Sequence, residues 1–120
     1  MKNILTTLLL LMSFTAIAQL NSNAQQLKDN GSTEYKLIKK YAESEWGQDY
    51  KMIVYTINKQ ADALSEMITL SKREDYDKEL LFAAFQEWSD SSITVGDSVF
   101  VDYSMMVYTY KNQLEAKNSY

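Results

Sequence analysis

The chain has 120 residues with 12 basic and 16 acidic side chains, no histidine and no cysteine, so its formal net charge is −4. This length predicts one small domain, and the lack of a basic stripe argues against nucleic-acid binding. Without histidine or cysteine the chain cannot build the usual nucleophile–base pairs, Cys/His zinc sites, disulfides or histidine-ligated haem sites.

The first segment, residues 1–18, has the pattern of a secretory signal peptide. Lys2 supplies the positive charge, an apolar stretch too short for a comfortable membrane span follows, and Ala16-Ile17-Ala18 is a small-x-small cleavage site. Cleavage after Ala24 is the alternative. We therefore expect a secreted or periplasmic protein with no membrane span after cleavage, and with no cysteine for a lipoprotein anchor.

The next segment, residues 19–31, is polar and ends in Asn30-Gly31, which predicts a flexible arm. A single helical domain is expected over 32–120. Its first helix is capped by Ser32 or Thr33 and can end at Gly47.

The second predicted helix runs from Tyr50 to about Leu70 and has Asp49 as its N-cap. Helical spacing places seven residues on one apolar face of it. They are Tyr50, Ile53, Val54, Ile57, Ala61, Leu64 and Ile68.

A third helix is predicted to start at a capping box formed by Ser71 and Glu74 and to end near 88–90. Its central residues, 80–85, are apolar on nearly every side. This helix is therefore expected to be the most buried one, or to meet a partner with one of its faces.

A β-hairpin is predicted over 92–101, because two β-branched runs flank the turn residues Gly96-Asp97. The alternative is a loop in which Ser98 caps an early start of the fourth helix, which otherwise begins near Asp102. Asp97-Ser98-Val99 resembles the O-glycosylation acceptor of one group of secreted bacterial proteins, so Ser98 is a predicted glycosylation site.

Two segments of the chain, 49–63 and 102–116, match each other and are identical at eight of fifteen positions. Trp46 and Trp88 stand upstream of the two segments. We interpret the chain as mainly all-α, a four-helix bundle made of two helix–turn–helix repeats over about 33–70 and 72–118. The predicted hairpin is then an insert in the second repeat.

Five of the identical positions form a stripe beside the apolar face of each helix. The stripe consists of Asp49, Met52, Thr56, Gln60 and Ala63 in the first segment and of Asp102, Met105, Thr109, Gln113 and Ala116 in the second. It is either a seam between the repeats or the lining of a shared binding groove. Tyr55 and Tyr108, also identical, are expected to point outward, as recognition residues often do.

The favoured function is a non-enzymatic interaction module that binds a protein or a cell-envelope component, without a cofactor. The predicted binding residues are Tyr55, Tyr108, Gln60, Gln113, Thr56, Thr109 and, on the hairpin, Phe100. One alternative is a bundle that binds an apolar or metal ligand between the repeats, near Met52, Met105, Gln60 and Gln113. A less favoured one is a hydrolase that uses Glu45 and Glu87 as paired carboxylates.

Overall fold

A computed structural model describes residues 19–120, so the predicted signal peptide lies outside the described residues. The described part contains five helices and one two-stranded antiparallel sheet, which confirms the mainly helical class and the hairpin. In chain order the elements are α1 (Ser22–Asp29), α2 (Thr33–Trp46), α3 (Tyr50–Leu70), α4 (Lys78–Glu87), β1 (Ser89–Val95), β2 (Ser98–Val101) and α5 (Tyr103–Ser119).

Helix α1 occupies the segment that was predicted to be a flexible arm. The Asn21 side chain caps it by accepting a hydrogen bond from the Ala24 N–H at 2.9 Å, and Ala24 is fully buried. Asn58 of α3 accepts from the Asn21 N–H at 2.8 Å and donates to the Gln19 carbonyl at 3.0 Å. The polar residues of this segment therefore cap α1 and form hydrogen bonds with α3. Composition alone had predicted that the segment is flexible.

Helices α2 and α3 begin and end as predicted. Ser32 and Asp49 are their N-caps, and Gly47 separates them with a φ of 59°, a conformation that glycine adopts without strain. The buried face of α3 is rotated from the predicted one, because Gln60 and Ala63 are buried whereas two predicted core residues are exposed. These two are Tyr50 and Ile68.

Helix α4 begins at Lys78, seven residues after Ser71, the first residue of the predicted capping box. The Ser71 hydroxyl donates to the Ile68 carbonyl at 2.6 Å, so Ser71 ends α3 and does not start a new helix. Asp77 is the N-cap, since its carboxylate accepts from the Leu80 N–H at 3.1 Å. The Asp77 N–H donates to the Tyr110 hydroxyl of α5 at 3.0 Å, which ties this start to the rest of the fold.

The β-hairpin turns at Gly96, whose φ is 60°, and its ladder is irregular between Asp90 and Thr94. It packs on α2, where Phe100 stacks on Tyr41 with ring centroids 4.3 Å apart. The Lys40 ammonium donates to the Thr94 carbonyl at 2.9 Å. The hairpin is thus docked on a helix, which an isolated two-stranded sheet needs for stability.

One core connects all these elements. Helix α2 packs on α3, α4 packs on α5, α3 packs on α5, and α1 lies against α2 and α3. The largest fully buried side chains are Tyr110, Phe100, Ile38, Met106 and Val101. The finer prediction of a four-helix bundle is not confirmed by this arrangement, in which the hairpin and α1 also take part.

Candidate functional site

The two matched segments carry the same pair of local hydrogen bonds. The Trp46 indole N–H donates to the Thr56 hydroxyl at 2.8 Å, and the Trp88 indole N–H donates to the Thr109 hydroxyl at 2.9 Å. Each bond joins the end of one helix to the second turn of the helix that follows. Thr56 and Thr109 are therefore each bonded within their own half of the chain, so these bonds do not decide between the seam and the groove.

The aspartates of the stripe are helix caps in both segments. Asp49 accepts a hydrogen bond from the Met52 N–H and Asp102 from the Met105 N–H, both at 3.2 Å. This local role explains why aspartate stands at both positions, because a cap satisfies N–H groups that have no partner inside the helix.

Gln60 joins the two segments. Its side chain is 3% exposed, its amide NH₂ donates to the Asp102 carboxylate at 2.8 Å, and its amide oxygen accepts from the Tyr103 N–H at 2.8 Å. A side chain in the middle of α3 thereby completes the N-terminal cap of α5. Gln113, its counterpart, is exposed. At its last two positions the stripe is thus buried in the first segment, at Gln60 and Ala63, and exposed in the second, at Gln113 and Ala116.

Two clefts lined by both polar and aromatic side chains lie side by side between α2 and the start of α5. The first, of about 220 Å³, is lined by residues that include Tyr55, Thr56 and Gln60, and the second, of about 320 Å³, lies beside Trp88. Tyr41 and Asp102 line both. Burial raises the pKa of the Tyr41 hydroxyl, and the carboxylates of Asp102, Glu45 and Asp90 raise it further. The two clefts therefore bring together a protonated tyrosine hydroxyl and several carboxylates.

The carboxylate pair of the hydrolase alternative is divided between these clefts. Glu45 lines the first cleft and Glu87 lines the second. A glycosidase needs both carboxylates across one substrate bond, so this placement gives the hydrolase alternative no geometric support. Within residues 19–120 no group of three or more Asp or Glu side chains is placed to hold a metal ion.

The remaining predicted binding residues are scattered. Tyr55 and Tyr108 are 58% and 62% exposed, in line with the outward orientation predicted for them. Phe100 is only 1% exposed because its ring stacks on Tyr41 of α2, so its position gives no support to the prediction that it contacts a partner. Ser98 is exposed next to the hairpin turn.

An apolar groove along α4 was not among the predicted binding sites. It has a volume of about 210 Å³ and is lined by Met67, Tyr76, Lys78, Leu81, Phe82, Phe85 and Met106. Phe82 and Phe85 are 58% and 43% exposed, and their rings lie nearly parallel with centroids 6.4 Å apart. Two neighbouring exposed phenylalanines form an apolar patch of the kind that marks an interaction surface.

The sequence contained a signal for this groove. Residues 80–85 are apolar around the whole helix, which predicted either deep burial or contact with a partner. In α4 only Ala84 is buried, so the most-buried expectation is wrong and the exposed face remains to be explained.

Comparison of the chain with protein-family models, with curated proteins and with solved structures found no match. Over the described range, 19–120, no helix is long and apolar enough to cross a membrane.

Proposed function

We propose that the protein is a secreted or periplasmic interaction module that binds an apolar segment of a partner protein in the groove along α4. The observation that carries this proposal is the exposure of Phe82 and Phe85, whose side chains would otherwise be expected in a core. The hairpin, the contact favoured by the sequence, faces α2 with its largest side chain and is therefore a less suitable surface.

The size of the groove favours a protein over a small ligand. Small-molecule sites usually have volumes of roughly 300–1,000 Å³, whereas this groove has about 210 Å³. That space accepts one or two apolar side chains of a partner, as when an amphipathic helix lies in a groove. Met67 and Met106 line the floor, and unbranched methionine side chains adapt to different anchors. Lys78 at the edge can pair with an acidic residue of that helix.

The ligand alternative has less support. Gln60, one of the residues that this alternative places near the ligand, already uses its amide oxygen and an amide N–H within the fold. Gln113 lies elsewhere on the surface and does not line the cleft that contains Gln60. A ligand between the two segments would therefore have to displace bonds that hold α5 in place.

We also infer that the chain arose by duplication of a helical hairpin. The matched Trp–Thr hydrogen bonds, 2.8 and 2.9 Å long, and the matched aspartate caps support this inference beyond sequence identity. The hairpin stands between the second tryptophan and the second aspartate and corresponds to the expected insert.

The groove can be tested with a photo-cross-linking residue placed at position 82 in the secreted protein. We expect one discrete adduct, and we expect the additional substitution Phe85→Asp to remove it. The matched control carries the probe at Tyr55, which is equally exposed but lies on α3. With the partner in hand, Phe82→Ser should raise its dissociation constant by about tenfold or more, since exposed aromatic anchors commonly contribute over 1 kcal/mol. The same adduct at both positions, or none at position 82, would contradict the proposal.

A further inference from the structure

Identical residues of the two matched segments differ in burial. Gln60 is 3% exposed and Ala63 is 9% exposed, whereas their counterparts Gln113 and Ala116 are exposed. For the matched tyrosines the buried residue lies in the second segment, since Tyr103 is 9% exposed whereas Tyr50 is 70% exposed. Gln60 and the start of α5 at Tyr103 meet in a contact between α3 and α5.

This contact has two different sides. One side is the Gln60 stripe in the middle of α3, and the other is the capped start of α5 at Asp102 and Tyr103. Since the segments match, the chain carries a second example of each side. Gln113 and Ala116 on α5 repeat the first, and Asp49 and Tyr50 at the start of α3 repeat the second. Both repeats lie on the surface.

We propose that copies of this chain associate head to tail, with the Gln113 stripe of one copy bound to the Asp49–Tyr50 end of α3 in the next. The Gln113 amide then donates to the Asp49 carboxylate and accepts from the Tyr50 N–H, as Gln60 does with Asp102 and Tyr103 inside one chain. The association is independent of the α4 groove.

The geometry of the internal contact fits such a repeat. Gln60 meets Tyr103, and Glu66 accepts from the Lys111 ammonium at 2.8 Å further along, so α3 and α5 run parallel. If two copies keep the alignment of this internal contact, the last turn of α5 in one copy would reach α3 of the next copy near Asn58. Helix α1 binds α3 at Asn58 and Asp62, about two turns or more beyond Tyr50. It therefore leaves Asp49 and Tyr50 open and adjoins only the far edge of the docked α5, at Asn58.

A contact with two different sides leaves one unused side at each end of the assembly. Such heterologous contacts form open rows unless the rotation closes a ring, whereas a symmetric dimer would use both sides at once. Each contact between copies should also be weaker than the internal contact between α3 and α5. Residues 47–49, which precede α3, contain no hairpin that could add contacts. Ser119 and Asn58 take the places of Glu66 and Lys111, and they cannot form an ion pair.

Sedimentation of the purified mature chain over a concentration series tests the proposal. The wild type should grow beyond a dimer as concentration rises. Gln113→Glu places a carboxylate opposite Asp49, and Tyr50→Glu places a charge in the docking end while suiting the first turn of a helix. Each variant alone should be monomeric at concentrations where the wild type associates, with its dissociation constant raised by about tenfold or more.

A one-to-one mixture of the two variants is the decisive sample, because each retains one intact side. It should form a heterodimer and nothing larger. Tyr108→Glu, on an exposed part of α5 outside the stripe, should associate like the wild type. A wild type that stays monomeric up to about millimolar concentration, or a mixture that stays monomeric, would overturn the proposal. Loss of groove binding in the cross-linking experiment would leave it unaffected.

Discussion

At the scale of single residues, the same side chain has a different role in each half of the chain. Gln60 is buried and completes the cap of α5, whereas Gln113 is on the surface. The sequence predicted the Asp49 cap, because a cap depends on only a few neighbouring residues. It left open whether the stripe was a seam or a site, because that answer depends on which helix lies against it.

Replacing Gln60 with methionine should destabilise the fold. The change keeps the length of the side chain but leaves the Asp102 carboxylate and the Tyr103 N–H without their partner, in a position that is only 3% exposed. We expect the free energy of unfolding to fall by about 1–3 kcal/mol, measured by urea unfolding. Gln113→Met is the matched control and should change it by no more than about 0.5 kcal/mol. Equal losses in the two variants would contradict the role assigned to Gln60.

At the scale of secondary structure, the elements of the described chain were largely predictable and their packing was not. Gly47 and Gly96, both with positive φ, mark a helix end and a hairpin turn that local rules identify. The start of α4 was misplaced because Ser71 and Glu74 fit a capping box, while Asp77 gains contacts from Tyr110 and Lys117 that only the folded chain provides. Local patterns likewise could not show which side of α4 is exposed, since its apolar residues surround the helix.

The start of α4 should weaken in acid. The hydrogen bond from the Lys117 ammonium at 2.6 Å, followed by that from the Leu80 N–H, lowers the pKa of the Asp77 carboxyl below its ordinary value of 3.8. Because the folded-state pKa is the lower one, ionised Asp77 stabilises the fold above the ordinary pKa, and this stabilisation disappears as pH falls through the folded-state value.

Asp77→Asn keeps a capping side chain but cannot ionise, so it isolates this effect. Its urea midpoint should lie below that of the wild type at neutral pH, and the difference should shrink as the pH falls below the ordinary pKa of 3.8. In a Lys117→Met background the same substitution should have a smaller effect at neutral pH, since the paired charge is gone. A difference that stays constant with pH would show that the charge of Asp77 does not contribute.

At the scale of the whole molecule, α1 changes where the domain begins. The sequence placed the domain at 32–120, but Ala24 is fully buried in the core and Asn21 is bonded to Asn58 of α3. Composition could not reveal this, because one small buried residue and a few amides supply the contacts. Of the two predicted cleavage positions, only the one after Ala18 would leave Asn21 and Ala24 in the mature chain.

The mature protein is accordingly expected to begin at Gln19, which mass spectrometry of the secreted or periplasmic chain would establish. A chain that begins at Gln25 lacks the cap of α1 and the buried Ala24. We expect it to lose about 2 kcal/mol of unfolding free energy relative to the chain that begins at Gln19, measured by urea unfolding of both recombinant forms. An exported protein that starts at Gln25 with unchanged stability would contradict the contribution of α1.

The two Trp–Thr hydrogen bonds also allow the unfolding of each half to be followed by tryptophan fluorescence. Trp46 and Trp88 are the only two tryptophans, one in each matched half, and each indole is bonded to a threonine that the unfolding of its half would release. Replacing either tryptophan with phenylalanine leaves a single intrinsic fluorophore whose emission follows one half alone. Coincident transitions of the two variants would identify one cooperative unit, and separate transitions would identify two, so the cooperativity between the halves can be read without any added label.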